Sequence, residues 1–138
     1  MRLAKFENTH IVLITSEIGV LNAFTSLKEL LSEKQGDYIT FIYALSSQNG
    51  EPLYKAELDN LQSRFTTHLQ VKYITDRNPF LSDSIEAYQR YLEIEINCNI
   101  SKNLYFKLFG SSELITLVTN RLQFLGVKER DIACYEVR

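Results

Sequence analysis

The feature that most constrains the fold is an apolar run, residues 10–15, which passes through a short polar turn and one glycine into a segment of helical periodicity. Four apolar residues of that segment share one face of an α-helix, because they are spaced i, i+4, i+7 and i+11: Val20, Phe24, Leu27 and Leu31. A buried strand, a turn and a helix form the first half of a βαβ unit. Ligands of open α/β sheets bind at the carboxyl ends of strands, beside the amino end of the following helix. The turn at residues 15–20 is therefore the first place to search for a site.

Apolar strands and striped helices alternate along the rest of the chain. Strands are predicted at about residues 10–15, 38–45, 69–75, 103–109 and 131–137, and helices at about 19–34, 54–65 and 114–125. A further helix is predicted to begin near Ser82 or Asp83, and residues 93–99 are ambiguous. Parallel strands need crossover helices and are buried on both faces. We therefore expect an α/β fold with a three-layer, doubly wound, five-stranded parallel sheet. The strand order 3-2-1-4-5 would bring residues 15–19 and 109–112 together across a crevice at the switch point.

Composition bounds the class of protein. With 138 residues, 45% apolar and 23% charged, the chain has the composition of one globular domain. We expect a lead-in at residues 1–8 and a single domain at residues 9–138. A net charge of −2 with scattered cations argues against nucleic acid as a partner, and no apolar segment reaches the roughly 20 residues of a membrane span. Because the amino terminus does not have the pattern of a signal peptide and Cys98 and Cys134 form no CxxC motif, we expect a cytoplasmic protein.

The turns at the switch point carry the candidate binding groups. Gly19 and the amino end of the first helix could present N–H groups to a phosphate, although a plain turn that requires a glycine is the alternative. Ser111 and Ser112 can either cap the next helix or contact a ligand. Ser46 and Ser47 follow the second strand, where a nucleotide-binding fold contacts a ribose, or they are simply loop serines.

The histidines do not indicate a metal site. His10 and His68 are predicted to precede strands, at the end of the sheet away from the crevice, and neither has ligand-type neighbours at metal-binding spacing. No nucleophile or acid–base motif is present in the sequence. The sequence therefore predicts no metal ligand and no catalytic side chain.

The order of these motifs resembles the NAD(P)-binding module in the C-terminal half of ferredoxin–NADP reductase-type flavoprotein reductases. Residues 15–22 correspond to the loop AGGxGxxP of that family, with Ser16 and Glu17 in place of two glycines. Residues 46–58 are similar to the polar loop and helix that follow the second strand of the family.

The resemblance continues to the end of the chain. Phe109-Gly110-Ser111 corresponds to the CGP motif of the family, and Glu136 corresponds to the glutamate of its last strand. The resemblance covers the chain from about residue 10 onward and implies a Rossmann-like nucleotide-binding domain.

The resemblance also implies a function. The chain would be the NAD(P)H-binding domain of a flavin-dependent oxidoreductase or electron-transfer system, and would pass hydride to a flavin held elsewhere. It would be part of a reductase rather than a complete enzyme, with a flavin-binding domain or subunit that carries FAD and an electron-transfer protein as partners. The implied cofactor is NAD(H) or NADP(H), bound weakly. The residues implied in cofactor binding are Thr15, Ser16, Glu17, Ile18, Gly19, Val20, Ser46, Ser47, Phe109, Gly110, Ser111 and Glu136.

The sequence also leaves a second interpretation open. Because two loop glycines are replaced, the chain is alternatively a non-catalytic, degenerate Rossmann-like interaction or regulatory domain that no longer binds nucleotide well.

Overall fold

The computed structural model of the chain describes residues 9–32, 38–46, 52–76, 93–94 and 103–137. Its strands are β1 (Thr9–Ser16), β2 (Tyr38–Ser46), β3 (Leu69–Asp76), β4 (Asn103–Gly110) and β5 (Ile132–Glu136). Its helices are α1 (Val20–Ser32), α2 (Lys55–Arg64) and α3 (Ser112–Phe124), with short 3₁₀ turns at Glu17–Gly19 and Glu129–Asp131. The helix predicted to begin near Ser82 or Asp83 lies outside the described residues, and the ambiguous stretch after it is helical at Glu93 and Ile94.

The described strands form one parallel sheet of five, in the order β3-β2-β1-β4-β5. This confirms the predicted fold class and strand order. The register places Thr15 of β1 beside Tyr43 of β2 on one side and beside Phe109 of β4 on the other. Because β1 and β4 are adjacent in space but distant in sequence, their carboxyl ends form the switch point of the sheet.

Alternate residues of β1 enter two apolar clusters, one on each face of the sheet, because successive side chains of a strand point to opposite faces. Ile11 and Leu13 belong to the cluster that α1 and α2 cover. Val12 and Ile14 belong to the cluster that α3 covers. A strand that is apolar on both faces is typical of the centre of a parallel sheet, so β1 connects the two halves of the core.

The helices pack through the faces that their periodicity predicts. In α1, Val20, Phe24 and Leu27 are buried and belong to the same cluster as Ile11. Leu58 is the fully buried residue of α2. The packing of these helices on the sheet therefore fixes the positions of the turns that precede them.

The amino ends of β1 and β2 are linked by a buried polar pair. His10 Nε2 lies 2.8 Å from Thr40 Oγ1, and both side chains are buried. His10 lies within β1 rather than before it, because the strand begins at Thr9. His68 directly precedes β3, as predicted. In the described part of the chain, no three His, Cys, Asp or Glu side chains are grouped so that they could hold a metal ion.

Candidate functional site

The turn between β1 and α1 packs directly onto the backbone of β4. Residues Glu17–Gly19 form a 3₁₀ turn, so α1 begins at Val20, one residue later than predicted. A Cβ atom on Gly19 would lie 2.7 Å from the carbonyl carbon of Phe109 and 2.8 Å from the nitrogen of Gly110. Gly19 is buried, and its lack of a side chain is what permits this close approach of the turn to β4. The plain-turn alternative therefore has a specific steric basis.

The two hydroxyls at the end of β1 have different environments. Thr15 is buried, and its hydroxyl donates to the Ser16 carbonyl oxygen at 2.8 Å. The Ser16 hydroxyl is also buried as an atom and has no hydrogen-bond partner within the described ranges. It lies 2.9 Å from the position that a Cβ on Gly110 would take. Ser16 therefore faces β4 across the switch point and does not cap the turn that follows it.

Glu17 and Ile18 project outward from this turn. Both side chains are exposed, and 57% of the surface of Ile18 is accessible. Val20, by contrast, is 1% exposed and belongs to the core. The outer surface of the turn is therefore a carboxylate beside an aliphatic side chain, where the related loop motif would have glycine.

Tyr43 of β2 reaches the same end of the sheet, although no sequence motif singles it out. Its hydroxyl donates to the carbonyl oxygen of Leu53 at 3.2 Å. Burial of this hydroxyl, followed by the charge of the nearby Glu17 carboxylate, raises the pKa of Tyr43 to about 12. The Glu17 charge therefore acts on the carboxyl end of β2 as well as on its own turn. Only the register of β1 against β2 could have revealed this proximity.

The turn between β4 and α3 is built differently. The φ angle of Gly110 is +152°, and a Cβ there would lie 2.8 Å from Leu114 Cδ2. Ser111 is the N-cap of α3, and its hydroxyl accepts a hydrogen bond from the Leu114 N–H at 3.2 Å. Capping, one of the two roles predicted for Ser111, is therefore present. Ser112 is the exposed first residue of α3.

The last strand completes this end of the sheet. Glu136 is paired with Gly110 in the β4–β5 register, and the Val137 N–H donates to the Gly110 carbonyl oxygen at 2.8 Å. The buried ring of Phe109 is stacked on Tyr135, with ring centroids 4.8 Å apart and planes inclined by 12°. Tyr135 is 43% exposed, so this pair presents an aromatic surface beside the β4–α3 turn.

The structure thus brings most of the predicted site residues together. Residues 15–20 and 109–111 meet across the switch point, and Glu136 adjoins them through β5. Ser46 is the last residue of β2, next to this group in the sheet, and Ser47 lies outside the described residues. Their role in binding a cofactor remains a prediction.

Comparison with solved structures identifies the class of fold. The chain is similar to ferredoxin–NADP+ reductase from Plasmodium falciparum, with 21% identity and a TM-score of 0.69 over 94% of this chain and 52% of that one. It is similar to the CS-b5R domains of human Ncb5or (NAD+ form), with 12% identity and a TM-score of 0.72 over 98% and 39% of the two chains. For the cytochrome b5 reductase domain of Ulva prolifera nitrate reductase, the identity is 17% and the TM-score 0.66 over 91% and 49%. No family model and no curated protein matches the sequence.

These similarities confirm the predicted resemblance at the level of the fold. The chain has the Rossmann-like fold of the NAD(P)-binding module in ferredoxin–NADP+ reductases. It spans about half the length of the ferredoxin–NADP+ reductase that it matches. Within the described helices, none is long and apolar enough to cross a membrane.

Proposed function

We propose that the chain is a weak NAD(P)H-binding domain of a flavin-dependent reductase system. The observation that supports this most is the meeting of the β1–α1 and β4–α3 turns at the switch point of a sheet with this strand order. Open α/β sheets bind ligands at that place. The neighbours in fold include a ferredoxin–NADP+ reductase and a cytochrome b5 reductase domain, which supports this choice over other nucleotides.

The residues fit a dinucleotide unevenly. At the β4–α3 turn, Leu114 and Ser16 fill the space beside Gly110, and the exposed ring of Tyr135 offers a stacking surface. At the β1–α1 turn, the one retained glycine is already in contact with β4, and the Glu17 carboxylate occupies the outer surface. Two like charges about 5 Å apart repel by roughly 3 kcal/mol at an effective dielectric constant near 20. The fit therefore depends on Tyr135 at the nicotinamide end and is poor at the pyrophosphate end.

In this proposal, the protein binds and orients the nucleotide. A bound NAD(P)H would supply a hydride, which a flavin on a separate domain or subunit would accept. Backbone N–H groups at the amino end of α1 would be the donors for phosphate oxygens. Ser111, already used as a helix cap, and Gly110 would flank the nicotinamide. A cytoplasmic location and an electron-transfer partner belong to the same proposal.

The preference between the two cofactors follows from the surroundings of β2. A 2′-phosphate requires an arginine or lysine near the ribose. Residues 45–48 carry neutral side chains only, and the next cation in sequence is Lys55. Its ammonium lies 2.6 Å from Asp59 Oδ2, and this hydrogen bond lowers the pKa of Asp59. Since Lys55 is already paired with a carboxylate, we propose NADH rather than NADPH.

A second candidate function is favoured by one specific observation. Gly19 serves close packing, whereas Ser16 and Glu17 stand at the two positions where the related loop has its other glycines. A chain that has kept the glycine needed for folding and lacks those needed for ligand approach is compatible with a non-catalytic interaction or regulatory domain.

Titration calorimetry of the unmodified chain and of Glu17→Gly with NADH and NADPH distinguishes the two functions. A dissociation constant of 1 mM corresponds to a binding free energy of only about 4 kcal/mol. A repulsion of roughly 3 kcal/mol between Glu17 and the pyrophosphate would therefore remove most of the affinity. We expect millimolar binding of NADH by the unmodified chain and at least tenfold tighter binding by Glu17→Gly. Absence of binding by both forms would leave the non-catalytic function, and micromolar binding by the unmodified chain would show that Glu17 does not face the pyrophosphate. We also expect the purified chain to be colourless, because in this proposal the flavin is held on a separate domain or subunit.

A further inference from the structure

An apolar groove lies at the end of the molecule opposite the switch point. The carboxyl-terminal parts of α1 and α2 form an open groove with a volume of about 260 Å³, lined by Lys28, Leu31, Ser32, Leu61, Arg64 and Phe65. Leu31, Leu61 and Phe65 form its floor, where they pack against the core cluster beneath the two helices. Because α1 and α2 run back toward the amino ends of the strands, the groove is separate from the proposed nucleotide site.

The two charged groups of the groove are both cations and come from different helices. The Lys28 ammonium lies 5.0 Å from the centroid of the Phe24 ring, and the Arg64 guanidinium lies 5.5 Å from that of Phe65. These contacts restrain the two exposed side chains at the groove. Among the residues that the structure describes, no carboxylate pairs with either cation. Arg64 lies in the last turn of α2 and offsets the partial negative charge of that helix end, whereas the last turn of α1 holds no basic residue. This role therefore does not account for the presence of both cations beside the apolar space.

The chemistry of this groove selects a ligand with an apolar body and an anionic head. The volume is slightly below the range of about 300–1,000 Å³ that drug-sized ligands occupy, which points to a small molecule. Apolar surface beside two cations favours a hydrocarbon chain that ends in a carboxylate, since charge-assisted hydrogen bonds to Lys and Arg are stronger than neutral ones. A neutral or cationic amphiphile would leave the positive charges without a partner or repel them.

We propose that this groove is a binding site for a medium-chain amphiphilic carboxylate, with its tail on Leu31, Leu61 and Phe65 and its head group between Lys28 and Arg64. The site does not depend on the function proposed for the switch point. A ligand of about ten non-hydrogen atoms is expected to bind with a dissociation constant on the order of 1 mM.

Two-dimensional ¹⁵N NMR of the whole chain, titrated with sodium octanoate to about tenfold above that constant, tests the proposal. We expect saturable shifts centred on the amides of residues 28–32 and 61–65. Sodium acetate, which has no tail, should cause none, and octan-1-ol, which has no charge, should bind at least fivefold more weakly. The double variant Lys28→Gln/Arg64→Gln should weaken octanoate at least fivefold, whereas Lys128→Gln, an exposed lysine beyond α3, should not change it.

Three results would overturn the proposal. Equal binding of octanol and octanoate would show that the cations take no part in recognition. Octanoate shifts that are absent, or that persist unchanged in the folded double variant, would remove the site. Sedimentation that shows a dimer dispersed by Phe65→Ser would assign the groove to a second copy of this chain instead.

Discussion

The two strand-to-helix turns at the switch point solve the same geometric problem in different ways. In the β4–α3 turn, the Ser111 hydroxyl caps the helix and the positive φ of Gly110 supplies the change of direction. In the β1–α1 turn, Ser16 makes no cap, and the chain passes through a 3₁₀ turn that packs on β4 through Gly19. One turn is held by a local hydrogen bond and the other by a contact between distant parts of the chain.

This difference distinguishes the turn residues that the fold requires from those that it does not require. In the β4–α3 turn, the Ser111 hydroxyl is used by the helix that it caps. In the β1–α1 turn, Gly19 makes the close packing on β4, while Ser16 leaves its hydroxyl unpaired in the described structure and Glu17 exposes its charge at the expected ligand position. The β1–α1 turn is therefore the place where a change in ligand binding is best tested.

The largest effect is expected when the contact between the turns is disrupted. Gly19→Ala would place a methyl group 2.7–2.8 Å from backbone atoms of Phe109 and Gly110. Backbone of a central strand cannot move aside cheaply, so we expect a loss of about 3 kcal/mol in the free energy of unfolding, measured in urea.

Gly126→Ala is the matched control. Gly126 has a φ of +100°, but no atom lies within 4 Å of the position that an added methyl group would take, so only backbone strain of about 1 kcal/mol is expected. If Gly19→Ala costs no more than Gly126→Ala, the turn is not packed on β4 as described.

A smaller effect is expected from alkaline pH, through Tyr43. The unfolded chain loses the tyrosine proton near pH 10, whereas the fold holds it until a pKa of about 12. The resulting stabilisation is complete below pH 10 and is lost as the pH rises from 10 to 12, by about 2 kcal/mol at pH 11.5. Urea unfolding between pH 8 and 11.5 should show a shallower decline for Tyr43→Phe than for the unmodified chain.

Tyr73 provides the comparison for that measurement. Burial, followed by a hydrogen bond to Asp59, raises the pKa of Tyr73 as well, so part of the alkaline decline should remain in Tyr43→Phe. An identical decline in the unmodified chain and in Tyr43→Phe would contradict the burial of the Tyr43 hydroxyl.

The smallest effects concern the two serines. Ser111→Ala removes an N-cap and should lower the free energy of unfolding by about 1 kcal/mol. Ser16→Ala removes a hydroxyl without a partner in the described chain and should leave stability unchanged or slightly raised. Thermal denaturation of both variants compares the turns directly. A greater loss of stability for Ser16→Ala than for Ser111→Ala would show that the Ser16 hydroxyl, and not the Ser111 cap, stabilises its turn.

Periodicity was sufficient to predict the sheet and the helices flanking it. The apolar run in β1 and the stripe in α1 depend on local sequence, and the alternation of strands and helices limits the parallel sheet to few arrangements. The strand order places the predicted site at the carboxyl ends of β1 and β4.

Contacts between distant residues could not be predicted in the same way. The packing of Gly19 on Phe109 and the effect of Glu17 on Tyr43 depend on register and side-chain direction across neighbouring strands. Tyr54 adopts a positive φ of 67° that favours glycine or asparagine, and its ring is stacked on Phe24 with centroids 4.5 Å apart. Such a conformation is imposed by tertiary packing and leaves no local signal.

The most direct test of the central claim is to map NADH onto the chain by ¹⁵N NMR. If the switch point binds the nucleotide, weak, saturable shifts will appear at the amides of Gly19, Gly110 and Ser111, and they will saturate at lower NADH concentration in Glu17→Gly. Octanoate at its own groove should not alter them. Shifts confined to other parts of the sheet, or no shifts in either form of the protein, would contradict the assignment of a nucleotide site to these two turns.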